Sequence, residues 1–358
     1  MRHTILHADV MDGLRSLPDR SVHCIITSPP YWGLRDYGVE GQIGLEPSPE
    51  EYVQKIVAVF REAWRVLRDD GTLWLNLGDC YARSRSAWGL KAKDLVGIPW
   101  RVAFALQADG WYLRSDIIWA KPNAMPESVR DRPTKSHEHV FLLAKQARYF
   151  YDADAIREES HYRAPKGSGT GRGRYSGDEM GSVPSGGVSA NPLGRNRRTV
   201  WEIATQPMPE AHFATFPEKL VEPCIRAGTS DRGCCPECGA PWRRVVEIER
   251  SDVPRYNSKS AGRRDCNYGD SDSTTLRARK IVVREVGWQP SCTCGCEETV
   301  PCIVLDPFVG SGTVNLVAHD LGRSSVGIEL NEKYIDIIKN RWARGGRPAE
   351  ALEVRAIW

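Results

Sequence analysis

With 358 residues, 41% hydrophobic and 27% charged, the chain has the make-up of a globular protein, either one large α/β domain or a domain carrying inserts. A net charge of only +3 excludes any inference about nucleic acid from the total, so basic patches have to be sought locally. No apolar run approaches membrane-spanning length and Met1-Arg2-His3-Thr4 opens no signal-peptide core; the expectation is a cytoplasmic protein with no membrane partner, its eleven cysteines reduced and some of them metal ligands.

Residues 3–7, 10–17 and 22–27 read strand, helix, strand. Asp9, just past the first strand, suits a helix N-cap. The third element runs out into Ser28-Pro29-Pro30-Tyr31-Trp32. Two consecutive prolines neither donate to a ladder nor enter a helix interior, so the chain leaves the sheet as a stiff, extended hook. Pro30 holds Pro29 extended and leaves the Pro29 carbonyl without a regular backbone partner. The hook is either a plain Pro-rich turn or a site. Ser28 Oγ and that carbonyl are two acceptors beside the flat ring of Tyr31, which suits a planar base with an exocyclic amino group. The loop 32–44, punctuated by Gly33 and Gly38, is too long and aromatic for a plain connection and reads as a flap over the same pocket.

Ser48-Pro49-Glu50-Glu51 is a helix start, with an N-cap serine, proline in first position and a glutamate closing a capping box. Val53, Ile56, Val57, Phe60, Ala63, Trp64 and Leu67 keep helical spacing and mark a buried face, with Trp64 in the core. Asp70-Gly71 is expected to end that helix ahead of a strand at 72–77. A helix follows at 98–108, then strands at 111–119 and 139–144, the last nearly all apolar and hence central. Strands alternating with helices argue a doubly wound sheet. Between the last two strands, 121–133 holds Pro122, Pro126 and Pro133 and cannot be regular. His137-Glu138-His139 suggests a metal, but alternate positions on a strand are expected to face opposite ways, which argues against one.

From 160 to 200 Gly and Ser dominate, with Arg172, Arg174, Arg195, Arg197 and Arg198 among them: a flexible linker, or a basic segment that lies along phosphates. Pro217 opens a helix reaching about residue 227. Cys234-Cys235-Pro236-Glu237-Cys238-Gly239 is a Cys-x-x-Cys knuckle whose mate is Cys292-Thr293-Cys294-Gly295-Cys296. Cys235, Cys238, Cys292 and Cys294, as thiolates in two tight turns, suit a closed tetrahedral structural zinc site, with Cys234 and Cys296 as spare sulfurs; a redox Cys-x-x-Cys is the rival reading. The polar interval 251–275 reads as a loop protruding from this ribbon.

Val304-Leu305-Asp306-Pro307-Phe308-Val309-Gly310-Ser311-Gly312-Thr313 is a second apolar strand ending in an acid, then a tight turn and a helix start. Glycines let backbone approach a ligand and the helix start offers free N–H groups. Ser325-Val326-Gly327-Ile328-Glu329 is another strand ending in a carboxylate, placed to accept from ribose hydroxyls, at the right distance from Asp306 for one β-α-β unit.

Together the two stretches resemble the amino-methylating DNA methyltransferases that use S-adenosylmethionine. Ser28-Pro29-Pro30-Tyr31 is similar to their catalytic motif and the Asp306 to Thr313 stretch to their cofactor loop, in the order of the family's permuted beta class. The resemblance implies a doubly wound, mostly parallel, Rossmann-like sheet with the zinc-ribbon-like stretch as an insert. The chain would divide into a catalytic half at 1–159, a target-recognition segment at 160–210, a cofactor-side helix at 211–230, the insert at 231–300 and a cofactor-binding half at 301–358. It implies an S-adenosylmethionine pocket formed by Asp9 beside the adenine, Phe216 near the methionine end, and Asp306, Phe308, Gly310, Ser311, Gly312, Thr313 and Glu329. The 121–133 loop resembles an active-site loop of the family, with Arg130 and Arg132 as candidate DNA contacts. In such an enzyme Ser28 and the Pro29 carbonyl hold the amino hydrogens of a flipped base while Tyr31 stacks on its ring. The partner is double-stranded DNA, in a bacterial or phage-encoded setting, with a cognate restriction endonuclease as a candidate partner. Serine before the two prolines points to cytosine N4; adenine N6, or a zinc-containing DNA-binding protein with an inactive core, are the alternatives. Amide-methylating relatives carry asparagine there, so Ser28 argues against them.

Overall fold

The computed structural model describes residues 1–82, 89–159, 194–206, 216–252 and 279–357. The glycine-rich part of the basic segment and the loop of the ribbon lie outside them. In chain order the elements are β1 (His3–His7), α1 (Val10–Arg15), β2 (Val22–Thr27), α2 (Pro49–Val66), β3 (Leu67–Leu77), α3 (Ile98–Ala108), β4 (Tyr112–Ala120), β5 (His137–Ala144), β6 (Val200–Glu202), α4 (Glu218–Gly228), β7 (Arg243–Asp252), β8 (Arg279–Gln289), β9 (Ile303–Asp306), α5 (Thr313–Asp320), β10 (Ser324–Glu329), α6 (Glu332–Arg344) and β11 (Leu352–Ala356).

Nine strands pair in the order β11-β1-β10-β9-β2-β3-β5-β4-β6. Every ladder is parallel except those of β5, which runs antiparallel to both β3 and β4. The strands are apolar on both faces, as a doubly covered sheet requires. Ile25, Leu73, Leu75, Phe141 and Leu143 join Leu14, Ile56, Phe60 and Val102 from α1, α2 and α3 in one core. Their neighbours in sequence, Cys24, Ile26, Trp74, Val140 and Leu142, join Leu220, Ile225, Val314 and Val317 from α4 and α5 in another. The chain winds outward from β2 through α2 to β3, and the other way from β9 through α5 to β10. The seam between β2 and β9 is therefore the switch point, where the carboxyl ends of an open sheet leave a crevice.

Ser48 caps α2 as expected, accepting from Glu51 N at 3.1 Å, and Tyr52, Ile56, Phe60 and Ala63 are fully buried beneath it. The helix does not run to Asp70-Gly71. It ends at Val66, and β3 begins at Leu67, pairing with Val22 before the register jumps to Cys24 opposite Thr72. The Asp70-Gly71 pair thus marks a β-bulge; a Cβ on Gly71 would lie 2.8 Å from the His23 carbonyl oxygen. α1 closes at Arg15, two residues short of expectation, and β5 starts at His137.

Two units are distinguished: Met1–Ile156 with Arg198–Arg243 and Trp288–Trp358, and Arg157–Arg197 with Arg244–Gly287. The first holds the nine-stranded sheet. The second holds most of the β7-β8 ribbon and a Glu158–Arg195 bridge, closed by two 2.9 Å backbone bonds and a 3.1 Å ion pair. Among the described residues no helix is long and apolar enough to cross a membrane.

Candidate active site

Thr27, the last residue of β2, is fully buried and donates from Oγ1 to Asp306 Oδ1 at 2.6 Å, which brings the hook and the glycine loop to one crevice. Beyond Thr27 the Pro30 carbonyl is taken by Tyr52 Oη at 2.9 Å, whereas the Pro29 carbonyl accepts no hydrogen bond among the described residues. Ser28 Oγ donates to Tyr31 Oη at 3.1 Å, and Tyr31 Oη donates to Glu138 Oε2 at 2.7 Å. Asn76 Nδ2, at the end of β3, reaches Tyr31 Oη at 2.8 Å and Glu138 Oε2 at 2.9 Å, with Ser28 Oγ more distant at 3.4 Å. Lys121, just past β4, pairs with Glu138 Oε1 and lies 4.2 Å from the Trp119 ring centroid. Burial would raise the Glu138 carboxyl, but the Lys121 charge and the donors around it hold it below the usual carboxylate range. Burial and the Glu138 charge push the Tyr31 phenol well above its ordinary range. The Tyr31 ring lies close enough to Gly78 that a Cβ there would sit 2.5 Å from Cε2.

The other wall is the loop after β9. Asp306 accepts from Phe308 N at 3.0 Å as well as from Thr27, its Oδ2 is buried with no partner among the described residues, and burial pushes the carboxyl up to about 7. Gly310, at φ 51°, donates its N–H to Glu329 Oε2 at 2.9 Å, while Glu329 Oε1 accepts from Asn331 N at 2.8 Å. Burial pushes Glu329 up to about 7 as well. Gly312, at φ 82°, caps α5 with Ile338 packed 3.0 Å from where its Cβ would be. From α6, Arg341 donates to the Ser311 carbonyl at 2.8 Å, Ser311 Oγ at 3.0 Å and Thr313 Oγ1 at 3.1 Å, tying the loop down.

These walls enclose a cavity of about 360 Å³. Asp9, Ser28, Pro29, Pro30, Tyr31, Phe216, Phe308, Gly310, Ser311, Thr313 and Glu329 line it; Asp306 and Gly312 stand behind the wall and shape the loop. Asp9 also caps α1, accepting from Met11 N at 2.8 Å, as its N-cap reading expects. The loop 32–44 lines the cavity through Leu34, Arg35, Tyr37 and Gln42. Arg132 pairs with Glu127 at 2.6 Å and stacks 3.9 Å from the Tyr81 centroid, while Arg130 is exposed.

Asn76, Lys121 and Glu138 were not among the site residues expected from sequence. Asn76 interrupts the apolar run Leu75-Asn76-Leu77, which is a readable signal. Glu138 is a correction: His137 and His139, two apart, share one face with rings 5.4 Å apart, and only Glu138 between them points into the cavity.

Cys235, Cys238, Cys292 and Cys294 place their sulfurs within 4.8 Å of one another, close to the edge of about 3.8 Å of a tetrahedron with roughly 2.3 Å bonds. Cys234 turns away, towards His23 and Cys302. In that second group His23 has no nitrogen left for a metal, since Nδ1 faces Ile303 N at 3.0 Å and Nε2 faces the Gly239 carbonyl at 2.9 Å. It fastens the knuckle to β2 instead, and Arg68 adds a 2.7 Å bond to the Cys238 carbonyl.

The family described as DNA methylase matches residues 22–235 and 302–340, leaving out 236–301, where three of the four cysteines lie. Type II methyltransferase M.Cfr9I of Citrobacter freundii is 41% identical over 94% of this chain and 87% of its own length. Type II methyltransferase M.SmaI of Serratia marcescens is 37% identical over 95% and 90%. Among solved structures, the cytosine-N4-specific PvuII DNA methyltransferase superposes with a TM-score of 0.54 at 17% identity over 99% of this chain and 95% of that one. The putative DNA modification methylase TTHA0409 of Thermus thermophilus, complexed with S-adenosyl-L-methionine, gives 0.51 at 19% over 99% of both. These two share the fold. The match to the family spans most of the sheet from β2 to α6, and full-length relatives keep two residues in five, so the chain belongs to the DNA methylase family.

Proposed function

We propose that the chain transfers a methyl group from S-adenosylmethionine to the exocyclic amino nitrogen of a base flipped from double-stranded DNA, with cytosine N4 as target. The observation that carries it is the hydroxyl of Ser28. Because that hydroxyl donates to Tyr31, its lone pairs are left to accept, in the same cavity as the glycine loop and Glu329. The cavity suits the cofactor in its lining: carboxylates at Asp9 and Glu329 to accept from hydroxyl and amino groups, and Phe308 and Phe216 for apolar contact. Bound there, the cofactor supplies an electrophilic methyl group.

Ser28 Oγ and the Pro29 carbonyl accept the two amino hydrogens and turn the nitrogen lone pair towards the methyl group. Tyr31 flanks the ring, a contact worth roughly 1–3 kcal/mol per base in single-strand binders. Cytosine follows from serine, rather than aspartate, before the two prolines, the form that the resembling cytosine-N4 enzymes share. The hook precedes the cofactor loop, as in the beta class. Segment 160–210 carries target recognition, and the type II setting of the relatives implies a cognate restriction endonuclease. Cys235, Cys238, Cys292 and Cys294 hold a structural zinc ion in an insert, which the gap in the family match supports.

The test is tritiated methyl incorporation into DNA, with the modified base then identified by mass spectrometry of nucleosides. Ser28→Ala should fold, bind cofactor as the parent does and lose methyl transfer by orders of magnitude. Methylation at the parental rate would remove Ser28 from the active site, and N6-methyladenine as product would replace cytosine.

A further inference from the structure

We propose that Glu138 is a positioning residue for methyl transfer: through Tyr31 it fixes the direction of the hydrogen-bond chain that ends at Ser28, and it receives the proton that the amino group sheds. This rests on the reading of Ser28 as the acceptor of the target amino group.

The direction of the chain follows from what each group can do. An ionised carboxylate only accepts, so Tyr31 Oη, 2.7 Å from Glu138 Oε2, must donate to it. With its only proton committed, Tyr31 can only accept from Ser28, 3.1 Å away, and the Ser28 proton is in turn drawn out of the cavity. Of the two lone pairs left on Ser28 Oγ, one faces Asn76 Nδ2 at 3.4 Å and the other is left for an amino group in the cavity that Ser28 lines. Asn76 Nδ2 also points at the carboxylate and at Tyr31, at 2.9 and 2.8 Å, and so fits the same polarity. Lys121 neutralises Glu138 from the far oxygen and keeps it ionised despite burial. The groups facing Glu138 are thus Lys121, Tyr31 and Asn76.

The same chain provides a proton path. As the amino nitrogen forms its bond to carbon, the carbon–sulfur bond breaks with its electron pair left on sulfur, and the nitrogen takes on positive charge. One N–H proton passes to Ser28 Oγ, the Ser28 proton to Tyr31 Oη and the Tyr31 proton to Glu138 Oε2. The base, the thioether and the Glu138 carboxyl all end neutral, so charge balances. A carboxylate of low proton affinity is sufficient, because a protonated amino group on a pyrimidine is a far stronger acid. The Tyr31 phenol, held well above its ordinary range, relays the proton without storing it.

Glu138→Gln replaces a pure acceptor by an amide that can donate to Tyr31. That reverses the chain and turns the Ser28 proton into the cavity. Single-turnover methyl transfer to duplex DNA should fall at least about 100-fold. Calorimetric affinity for the cofactor, and the fluorescence rise of 2-aminopurine at the target position, should stay within about twofold. Tyr31→Phe, which leaves the Lys121–Glu138 pair intact, should cost at least about tenfold, and the double variant no more than the larger single loss, because the parts act as one unit. Rates within threefold of the parent for both single variants, or a double loss equal to the product of the singles, would overturn the proposal. Ser28→Ala run alongside separates the two readings. If it is slow while Glu138→Gln and Tyr31→Phe are fast, the relay alone fails; if all three are fast, the acceptor reading fails with it.

Discussion

Thr27 Oγ1 and Asp306 Oδ1, 279 positions apart in sequence, meet at 2.6 Å across the seam between β2 and β9. Each is the last residue of its strand, so the bond fixes the step at which the hook and the glycine loop leave the sheet. Among the described residues Asp306 has just one further donor, Phe308 N, and its second oxygen is buried without a partner.

Thr27→Val keeps the shape and removes that donor. A buried carboxyl stripped of a partner costs about 1–3 kcal/mol, so urea unfolding should show a loss of that size. Cofactor affinity should fall with it, because Asp306 sets the start of the loop. A variant as stable as the parent would mean that Asp306 relaxes onto other donors.

With Glu329 as the proposed ribose acceptor, cofactor binding is expected to depend on pH. The folded value of Glu329, about 7, lies above the roughly 4.5 of an unfolded glutamate, so the native chain keeps a proton that the unfolded chain has released between those limits. The contribution to stability is complete below about 4.5 and is lost as pH rises through about 7. His3, lowered to about 3 by burial, acts in the opposite sense, so the quantity to measure is the difference between the parent and Glu329→Gln. That difference should shift against the parent by on the order of 2 kcal/mol between pH 5 and 8. Ribose hydroxyls donate to the ionised form, so cofactor affinity should strengthen as pH rises through about 7, with proton release detectable by calorimetry at pH 6. An affinity flat with pH in the parent would remove Glu329 from the binding contacts.

Much of this was readable in the sequence wherever one local rule decided. Ser48 with Pro49 set the start of α2, the apolar runs set β2, β9 and β10, and the two motifs set both walls of the cavity. What escaped depended on pairing between distant segments. Asp70-Gly71 has the look of a helix stop, yet the register between β2 and β3 makes it a bulge. Glu138 has no local signal, because its role exists only where β5 folds back beside β3 and brings it to Tyr31 and Asn76. β6 and β11, the sheet edges, are short and owe their strand form to a neighbour, Val200 to Ile118 and Leu352 to His3.

The cysteine cluster should hold about one zinc per chain. Cys238→Ser and Cys292→Ser should each lose the metal in elemental analysis and lower Tm, since the knuckle is fastened to β2 and β3 through His23 and Arg68. Cys296→Ser should keep the metal, as Cys296 is not part of the four-sulfur group. Protein purified without chelator and found free of zinc would leave the cluster as four thiols.

Gly78 tests the placement of Tyr31 from behind. A Cβ at position 78 would lie 2.5 Å from Tyr31 Cε2 and 2.9 Å from Cδ2, so in Gly78→Ala the ring must move. Its hydroxyl then leaves Ser28, Asn76 and Glu138, now 3.1, 2.8 and 2.7 Å away. Overpacking of this kind costs about 1–3 kcal/mol, which a thermal melt will register. The glycine loop and Glu329 do not touch Gly78, so cofactor affinity should hold within about twofold while methyl transfer drops at least about 100-fold. Adding Tyr31→Ala to Gly78→Ala removes the clash, so the double variant should lose less stability than the sum of the two single losses, without recovering the rate. That combination separates a ring displaced from its task from a fold that has loosened. If Gly78→Ala alone methylates DNA as fast as the parent, the position of the Tyr31 ring is immaterial and the part given to Tyr31 is wrong.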